Sequence, residues 1–170
     1  KNILDEMYPF ICGGDMIREV HKEKTLFNDL PYKFEAGTPN IADVIGFSSA
    51  LDYLNEIGMD NIRKHEIELT KYAIEKMSEF KQLKLYGDIN LQNRGGIISF
   101  NLGDIHPHDL ATILNEHAIA IRSGHHCAQV LMEKLEVSAT SRVSFYIYNT
   151  KDEINIFINA LGKAIKLFQL

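Results

Sequence analysis

The sequence predicts an α+β fold, in which helices pack against a mostly antiparallel sheet. Two long segments, one in the middle of the chain and one at its end, repeat their apolar residues at the 3.6-residue period of a helix. Between them, short apolar or alternating segments are typical of strands. The 170 residues are 45% hydrophobic, so the chain can bury a core without disulfide cross-links.

The first 58 residues fit this fold less well than the rest. "PFICGGDMIREV" indicates a strand interrupted by two glycines. In "EAGTPNIADVIGFSSALDYLNEIG", Thr38 is the expected N-cap, Pro39 the first helical residue and Gly58 the stop. This helix has a broad apolar face but no matching strands in the chain. We therefore predict that residues 1–58 are an incomplete part of a larger domain.

Residues 59–170 are predicted to form a complete α+β domain. A helix from about Asp60 to Phe80 carries its apolar residues on one side. "GGIISFNLG" indicates a buried strand, "HPHDLATILNEH" a short helix, and the alternating "SRVSFYIYN" a strand with one buried face. Thr150 and Glu153 have the spacing of a capping box, which predicts the start of the last helix.

The stretch "RSGHHCA" at residues 122–128 concentrates the groups that could carry chemistry. It is rich in glycine and polar residues, which favours an exposed loop over a buried one. We expect this loop to connect a helix ending near His117 to a strand starting near Ser141. The cysteine in it, Cys127, is therefore predicted to be accessible to solvent.

Cys127 has two simple interpretations. A cysteine after an apolar segment is often a small packing residue. Alternatively it is a nucleophile, because the thiolate is the reactive form and nearby cations favour that form. Arg122, His125 and His126 are the cations that the loop itself could supply.

A zinc site is a further alternative for the same residues. "HPH" at 106–108 and "HHC" at 125–127 could together donate three or four ligands. Two of these histidines are adjacent, however, no second cysteine lies nearby, and the spacing matches neither a zinc finger nor a metalloprotease helix. We therefore predict no metal site and interpret His106 and His108 as polar residues at a helix start.

Two other positions could bind anions. Arg142 begins the polar face of the alternating strand, where its planar guanidinium could hold a carboxylate or simply remain solvated. Gly37 and Thr38 precede a helix, and the N-terminus of a helix is a natural phosphate site. Plain capping of that helix by Thr38 explains the same residues.

Composition restricts the class of partner. The net charge is -5 and the 18 basic residues are scattered, which argues against nucleic acid. No apolar run is long enough to cross a membrane, and two distant cysteines do not form a disulfide framework. We expect a soluble, cytoplasmic protein.

"RSGHHCAQVLMEKLEVSATSRVSFYIYNTKDEI" resembles the C-terminal part of SufS-type (group II) cysteine desulfurases, which belong to the class V aminotransferase group of pyridoxal-phosphate enzymes. "GGDMI" and "FEAGTPNIADVIGFSSALDYLNEIG" resemble the family's middle segments, in the same order. Two positions depart from the family pattern. Val130 stands where the family often has proline, and Cys12 where a third glycine is usual.

The resemblance implies a domain assignment. Residues 59–170 would be the small C-terminal domain of a fold-type I pyridoxal-phosphate enzyme. Residues 1–58 would be the tail of its large, cofactor-binding domain. The family's Schiff-base lysine lies upstream of this chain, so the chain alone is expected to be inactive and to lack the cofactor.

The resemblance also implies roles for five residues. Cys127 would take the sulfur of L-cysteine as a persulfide, release L-alanine, and pass the sulfur to an acceptor protein for iron–sulfur cluster assembly. Arg142, with Arg122 as a second candidate, would bind the substrate carboxylate. Gly37 and Thr38 would reach the cofactor phosphate of a neighbouring subunit, which implies a homodimer. The alternative is a non-catalytic assembly or sulfur-carrier docking module with a redox-sensitive cysteine.

Overall fold

A computed structural model describes residues 1 to 169. The chain forms two compact units, Lys1–Glu56 and Ile57–Leu170. That these units are parts of a large and a small domain stays a prediction. In chain order the elements are α1 (Asn2–Glu6), β1 (Ile17–Val20), β2 (Thr25–Phe27), α2 (Ile41–Ile57), α3 (Met59–Met77), β3 (Leu83–Tyr86), β4 (Ile97–Leu102), α4 (Pro107–Glu116), β5 (Arg122–Gly124), α5 (Gln129–Lys134), β6 (Thr140–Ser144) and α6 (Lys151–Phe168).

The first unit has little core of its own. β1 and β2 form an antiparallel pair in which Ile17 is opposite Phe27, and Met16 beside them is fully buried. α2 buries none of its residues. Six of its large apolar residues are exposed: Ile41, Val44, Ile45, Phe47, Leu51 and Tyr53.

The start of α2 differs from the prediction. The helix begins at Ile41, and the side-chain oxygen of Asn40 accepts a hydrogen bond from the Asp43 N–H at 3.3 Å. The prediction that Thr38 caps this helix was wrong. Asn40 is as good a capping residue as threonine, and it stands three residues before the amide that it caps. The Thr38 hydroxyl is thus not used at the helix start.

The second unit contains a four-stranded sheet with the order β3-β4-β6-β5, and every neighbouring pair is antiparallel. α3, α4 and α6 supply the helical side of its core, which confirms the predicted α+β fold. The largest fully buried side chains in this core are Leu69, Met77, Ile98, Phe100, Leu102, Leu110, Leu114, Ile154 and Leu161. The predicted capping box of Thr150 and Glu153 is present at the start of α6.

The sheet register decides which side chains face away from this core. Successive residues of a strand point to opposite faces. Ile98, Phe100 and Val143 point into the core, so their neighbours Ser99 and Arg142 point to the other face. The register places residue 142 opposite Ser99 on one side and opposite Arg122 on the other. The second face of the sheet therefore carries two adjacent arginines.

The short elements of this unit differ most from the predictions. β6 ends at Ser144, whereas "SRVSFYIYN" predicted a strand up to residue 149. The chain turns there because the Tyr146 N–H donates to the Asn149 side chain at 2.9 Å and the Asn149 N–H donates to the Tyr146 carbonyl at 3.0 Å. β5 and α5 lie where a continuous loop was expected, and no segment had been assigned to β3. Of the helices described within residues 1 to 169, none is both long and apolar enough to span a bilayer.

Candidate active site

Cys127 lies at the tip of a tight turn between β5 and α5. The turn runs from His125 to Ala128, whose N–H donates to the His125 carbonyl at 2.9 Å. Its two central residues, His126 and Cys127, have φ values of 56° and 59°. Positive φ at both central residues is the signature of a type I′ turn, which glycine and asparagine adopt more readily than histidine or cysteine. The turn leaves Cys127 exposed with a free thiol, as predicted.

A guanidinium group lies against this thiol. The Nη2 atom of Arg122, on β5, donates to the Cys127 Sγ at 3.4 Å. The sulfur therefore lies beside a positive charge. Of the three cations that the loop could supply, the structure therefore brings Arg122 into direct contact with the sulfur.

His126 has a different environment. Its Nε2 lies 3.0 Å from the Thr140 carbonyl oxygen and 2.9 Å from the Thr140 hydroxyl. A carbonyl oxygen only accepts, so the proton of the neutral ring is on Nε2. The Nδ1 atom is buried and has no hydrogen-bond partner among the residues that the structure describes. Burial lowers the pKa of His126 and the positive charges of Arg142, Arg122 and His125 lower it further, although the Thr140 hydrogen bond acts in the opposite direction.

Arg142 is a cation without an anionic partner. Its Nε is buried and makes no hydrogen bond, and within residues 1 to 169 its guanidinium pairs with no carboxylate. Its cross-strand neighbour is Arg122, which carries the same charge. A buried donor without a partner is costly, and like charges opposite each other on a sheet are unfavourable. Both features favour binding of an anion here.

A cavity of about 440 Å³ opens beside Arg142 on this second face of the sheet. Its wall includes apolar side chains of α5 and of β4, and its charged side chains are Arg142 and Arg94. Arg94 donates to the Tyr86 carbonyl. The remaining lining residues are Tyr86, Gly87, Ile97, Ser99, His126, Ala128, Leu131, Met132, Leu135 and Thr140, with no carboxylate among them. The cavity thus suits a small anionic molecule.

Gly37 and Thr38 belong to the first unit. Gly37 has a φ of 82°, and a side chain there would meet no atom within 4 Å. The Gly37 N–H already donates to the Gly14 carbonyl at 2.8 Å. Thr38 is exposed, and its hydroxyl makes no hydrogen bond in the part of the chain that is described. Of the pair, Thr38 is therefore the residue with a donor available to a phosphate.

The histidines at the start of α4 have a structural role. The Nδ1 atom of His106 accepts from the His108 N–H at 3.2 Å, as expected of a polar N-cap. No group of three or more histidine, cysteine or acidic side chains between residues 1 and 169 is placed to hold a metal ion.

The sequence did not indicate two parts of this site. Thr140 lies one residue before the predicted strand, and only the fold shows that it contacts His126. Arg94 follows a 3₁₀ turn at Leu91–Asn93 and carries no local motif. The sequence offered one clue: alternation along the strand of Arg142 assigns each neighbouring residue to one of the two faces of the sheet.

The aminotransferase class-V family profile matches residues 1–157. The chain belongs to the aminotransferase class-V family. It is 49% identical over 168 residues to the cysteine desulfurase of Haloferax volcanii, and 51% identical to a probable cysteine desulfurase of Staphylococcus aureus strain Mu50. Each alignment covers 99% of this chain but only 39% and 40% of those relatives. The chain thus spans about two fifths of their length.

Solved structures of this family share the fold. The apo cysteine desulfurase of Thermococcus onnurineus NA1 has a TM-score of 0.91 at 37% identity, and the cysteine desulfurase CsdA of Escherichia coli, solved as an S-sulfonic acid, has 0.89 at 32%. Each match covers 98% of this chain and 41% of the other. C-DES, solved with glycine linked to its PLP cofactor, has a TM-score of 0.71 at 17% identity, over 94% of this chain and 39% of its own. At this identity the match shows a shared fold and nothing more.

Proposed function

We propose that this chain is the C-terminal part of a SufS-type cysteine desulfurase, a pyridoxal-phosphate enzyme that converts L-cysteine to L-alanine. In this proposal, residues 1–58 are the tail of the large domain and residues 59–170 are the small domain. The names of relatives about 50% identical over nearly the whole chain support the activity. The "RSGHHC" run supports the SufS type.

One observation carries the proposal. The exposed thiol of Cys127 lies at the tip of a turn, 3.4 Å from the Arg122 guanidinium. An exposed cysteine beside a cation has the environment of a reactive thiol, whereas a structural cysteine is buried in apolar surroundings. This geometry favours a nucleophile over a packing residue.

The proposed reaction moves one sulfur atom. Cys127 in its thiol form and L-cysteine give the Cys127 persulfide and L-alanine, so a sulfur–sulfur bond forms as the carbon–sulfur bond of the substrate breaks. Atoms and electrons balance without an external oxidant or reductant. Pyridoxal phosphate, when bound, withdraws electrons from the amino acid and makes this cleavage possible.

Arg142 is the proposed carboxylate-binding residue. Its guanidinium borders a cavity whose lining has no carboxylate, and its buried Nε lacks a hydrogen-bond partner among residues 1 to 169. A carboxylate would satisfy that guanidinium with charge-assisted hydrogen bonds. Arg122 is the second candidate for the same anion. Because Arg122 also contacts Cys127, a substrate carboxylate held by the pair would lie close to the nucleophile.

The first unit fits the cofactor phosphate in part. The exposed hydroxyl of Thr38 can donate to a phosphate oxygen. Gly37, with its positive φ, shapes the turn beside it, and its own amide is already bonded to the Gly14 carbonyl. In the proposal this phosphate belongs to the neighbouring subunit of a homodimer. None of the lysines of this chain lies in the family's Ser-x-His-Lys context, so the Schiff-base lysine comes from the rest of the enzyme.

The proposed biological role is cytoplasmic sulfur supply. The Cys127 persulfide would pass its sulfur to an acceptor protein for iron–sulfur cluster assembly. The exposure of the thiol supports this step, because a second protein has to reach the sulfur.

Complementation tests the enzyme against the non-catalytic module. The chain is mixed with the remaining, N-terminal part of the enzyme, pyridoxal phosphate and L-cysteine, and released alanine is measured. The proposal expects no release from either part alone and release from the mixture, with loss in a Cys127→Ser chain. A matched Cys12→Ser chain should retain it. No alanine from a mixture that binds the cofactor would contradict the enzyme proposal.

A further inference from the structure

The turn that carries Cys127 is unfavourable in isolation. His126 and Cys127 both adopt left-handed backbone angles. For a residue with a side chain, this conformation costs about 1–2 kcal/mol. Neither residue is glycine or asparagine, so the turn must be held by contacts outside its own four residues.

His126 makes such a contact. Its Nε2 bonds to both the carbonyl and the hydroxyl oxygen of Thr140. Thr140 is fully buried and is the first residue of β6, which has a neighbour on each side in the sheet. In the register, Thr140 is opposite Gly124, the last residue before the turn. The imidazole therefore ties the turn to a fully buried residue of a strand inside the sheet.

We propose that His126 is a positioning residue for Cys127: its contact with Thr140 holds the turn so that the Cys127 thiol stays against the Arg122 guanidinium. The significance of this for sulfur transfer rests on the proposed function, but the contact itself can be tested without substrate.

The geometry favours positioning over proton transfer by His126. Its Nε2 is occupied by Thr140, and its Nδ1 is buried. The side chain within hydrogen-bonding distance of the Cys127 sulfur is that of Arg122. His126 thus acts through the place in which it holds the neighbouring cysteine.

The test compares two alkylating reagents on the intact 170-residue chain. Iodoacetate is anionic and iodoacetamide is neutral, and both react with the thiolate. The measured quantity is the rate with iodoacetate divided by the rate with iodoacetamide. Exposure and thiolate fraction affect both rates equally, so this rate ratio reports the positive charge next to the sulfur. A Cys12→Ser background leaves Cys127 as the single thiol. Added salt should lower the ratio, because it screens exposed charges.

Two substitutions separate the contact from the backbone strain. His126→Asn suits a left-handed backbone but its amide is too short to reach Thr140. His126→Gln places an amide nitrogen as many bonds from the backbone as Nε2. We expect Asn to lower the rate ratio about two- to fivefold, the equivalent of losing an exposed ion pair, and Gln to retain most of it. Thr140→Ser, which keeps the hydroxyl, should leave the ratio unchanged.

A double-mutant cycle connects the contact to Arg122. Arg122→Gln should lower the ratio as His126→Asn does, and adding His126→Asn to it should lower the ratio no further. The proposal is overturned if His126→Asn leaves the rate ratio unchanged while Arg122→Gln lowers it. It is also overturned if the double variant lowers the ratio by the product of the two single effects. An unchanged ratio in Arg122→Gln also overturns it, because no cation would then be held at the sulfur.

The outcome is independent of the desulfurase proposal. The ratio involves neither L-cysteine nor pyridoxal phosphate, so a failed desulfurase assay leaves it unaffected. Circular dichroism and thermal unfolding of each variant identify a loss caused by misfolding. A variant that melts like the parent but has a lower ratio supports positioning.

Discussion

Replacing Arg142 by methionine is predicted to stabilise the chain while abolishing carboxylate binding in the enzyme. The buried Nε of this arginine has no hydrogen-bond partner in the described part of the chain, and its cross-strand neighbour is another arginine. Methionine keeps a flexible side chain that extends about as far as Nε, and it removes the charge and the N–H donors. An arginine whose charge lowers the stability of the chain is expected where its function is to bind an anion.

The magnitude follows from these two features. A buried donor without a partner costs about 1–3 kcal/mol, and the lower part of that range applies because Arg142 is only partly buried. Like charges opposite each other on adjacent strands destabilise the fold by a further amount of about 0.2–1 kcal/mol. Arg142→Met should therefore raise the free energy of unfolding by about 1–2 kcal/mol.

Urea denaturation followed by circular dichroism measures this, with Arg63→Met as the matched control. Arg63 is a partly buried arginine that is satisfied: it donates to the Leu91 carbonyl at 2.6 Å and lies 3.7 Å from Glu66. Its replacement should lower the free energy of unfolding by about 1 kcal/mol. If Arg142→Met destabilised the chain as much as Arg63→Met does, Arg142 would have a structural partner. That result would contradict its assignment as an anion-binding residue.

Three further predictions concern stability. In the folded chain the pKa of His126 lies below its ordinary 6.5, so the unfolded chain binds more protons in this pH range. The free energy of unfolding should therefore fall as the pH drops from 6.5 through the folded pKa, and it should fall less in His126→Gln. Thr150→Ala should cost about 1 kcal/mol by removing the N-cap of α6, and Thr150→Ser should restore it, both by urea midpoint. Cys127→Gly should raise the thermal midpoint, because glycine adopts the left-handed φ without strain, and Cys127→Val should lower it.

The long elements could be predicted from the sequence because their periodicity and caps are local. α3, α4 and α6 lie close to their predicted positions, and the capping box at Thr150 is present. The short elements could not. β5 has three residues and α5 has six, which is too few for a periodic pattern. Their conformations depend on sheet pairing, and residues far apart in the chain decide that pairing.

The candidate site shows the same limit. Exposure of Cys127 followed from the composition of its loop, and Arg122 was recognised as a nearby cation. The hydrogen bond from His126 to Thr140 was not predictable, because it depends on the register between β5 and β6. The N-cap of α2 was misassigned between Thr38 and Asn40, since both are good capping residues and only the backbone path decides between them.

The most direct test of the central claim is to find where the sulfur goes. The full-length enzyme is loaded with pyridoxal phosphate, given one turnover of L-cysteine without an acceptor, digested, and analysed by mass spectrometry. We predict a mass increase of one sulfur atom on the peptide that contains Cys127. This increase should be lost in Cys127→Ala, which should still bind L-cysteine. Sulfur on another cysteine, or full sulfur transfer by Cys127→Ala, would contradict the assignment of Cys127 as the nucleophile.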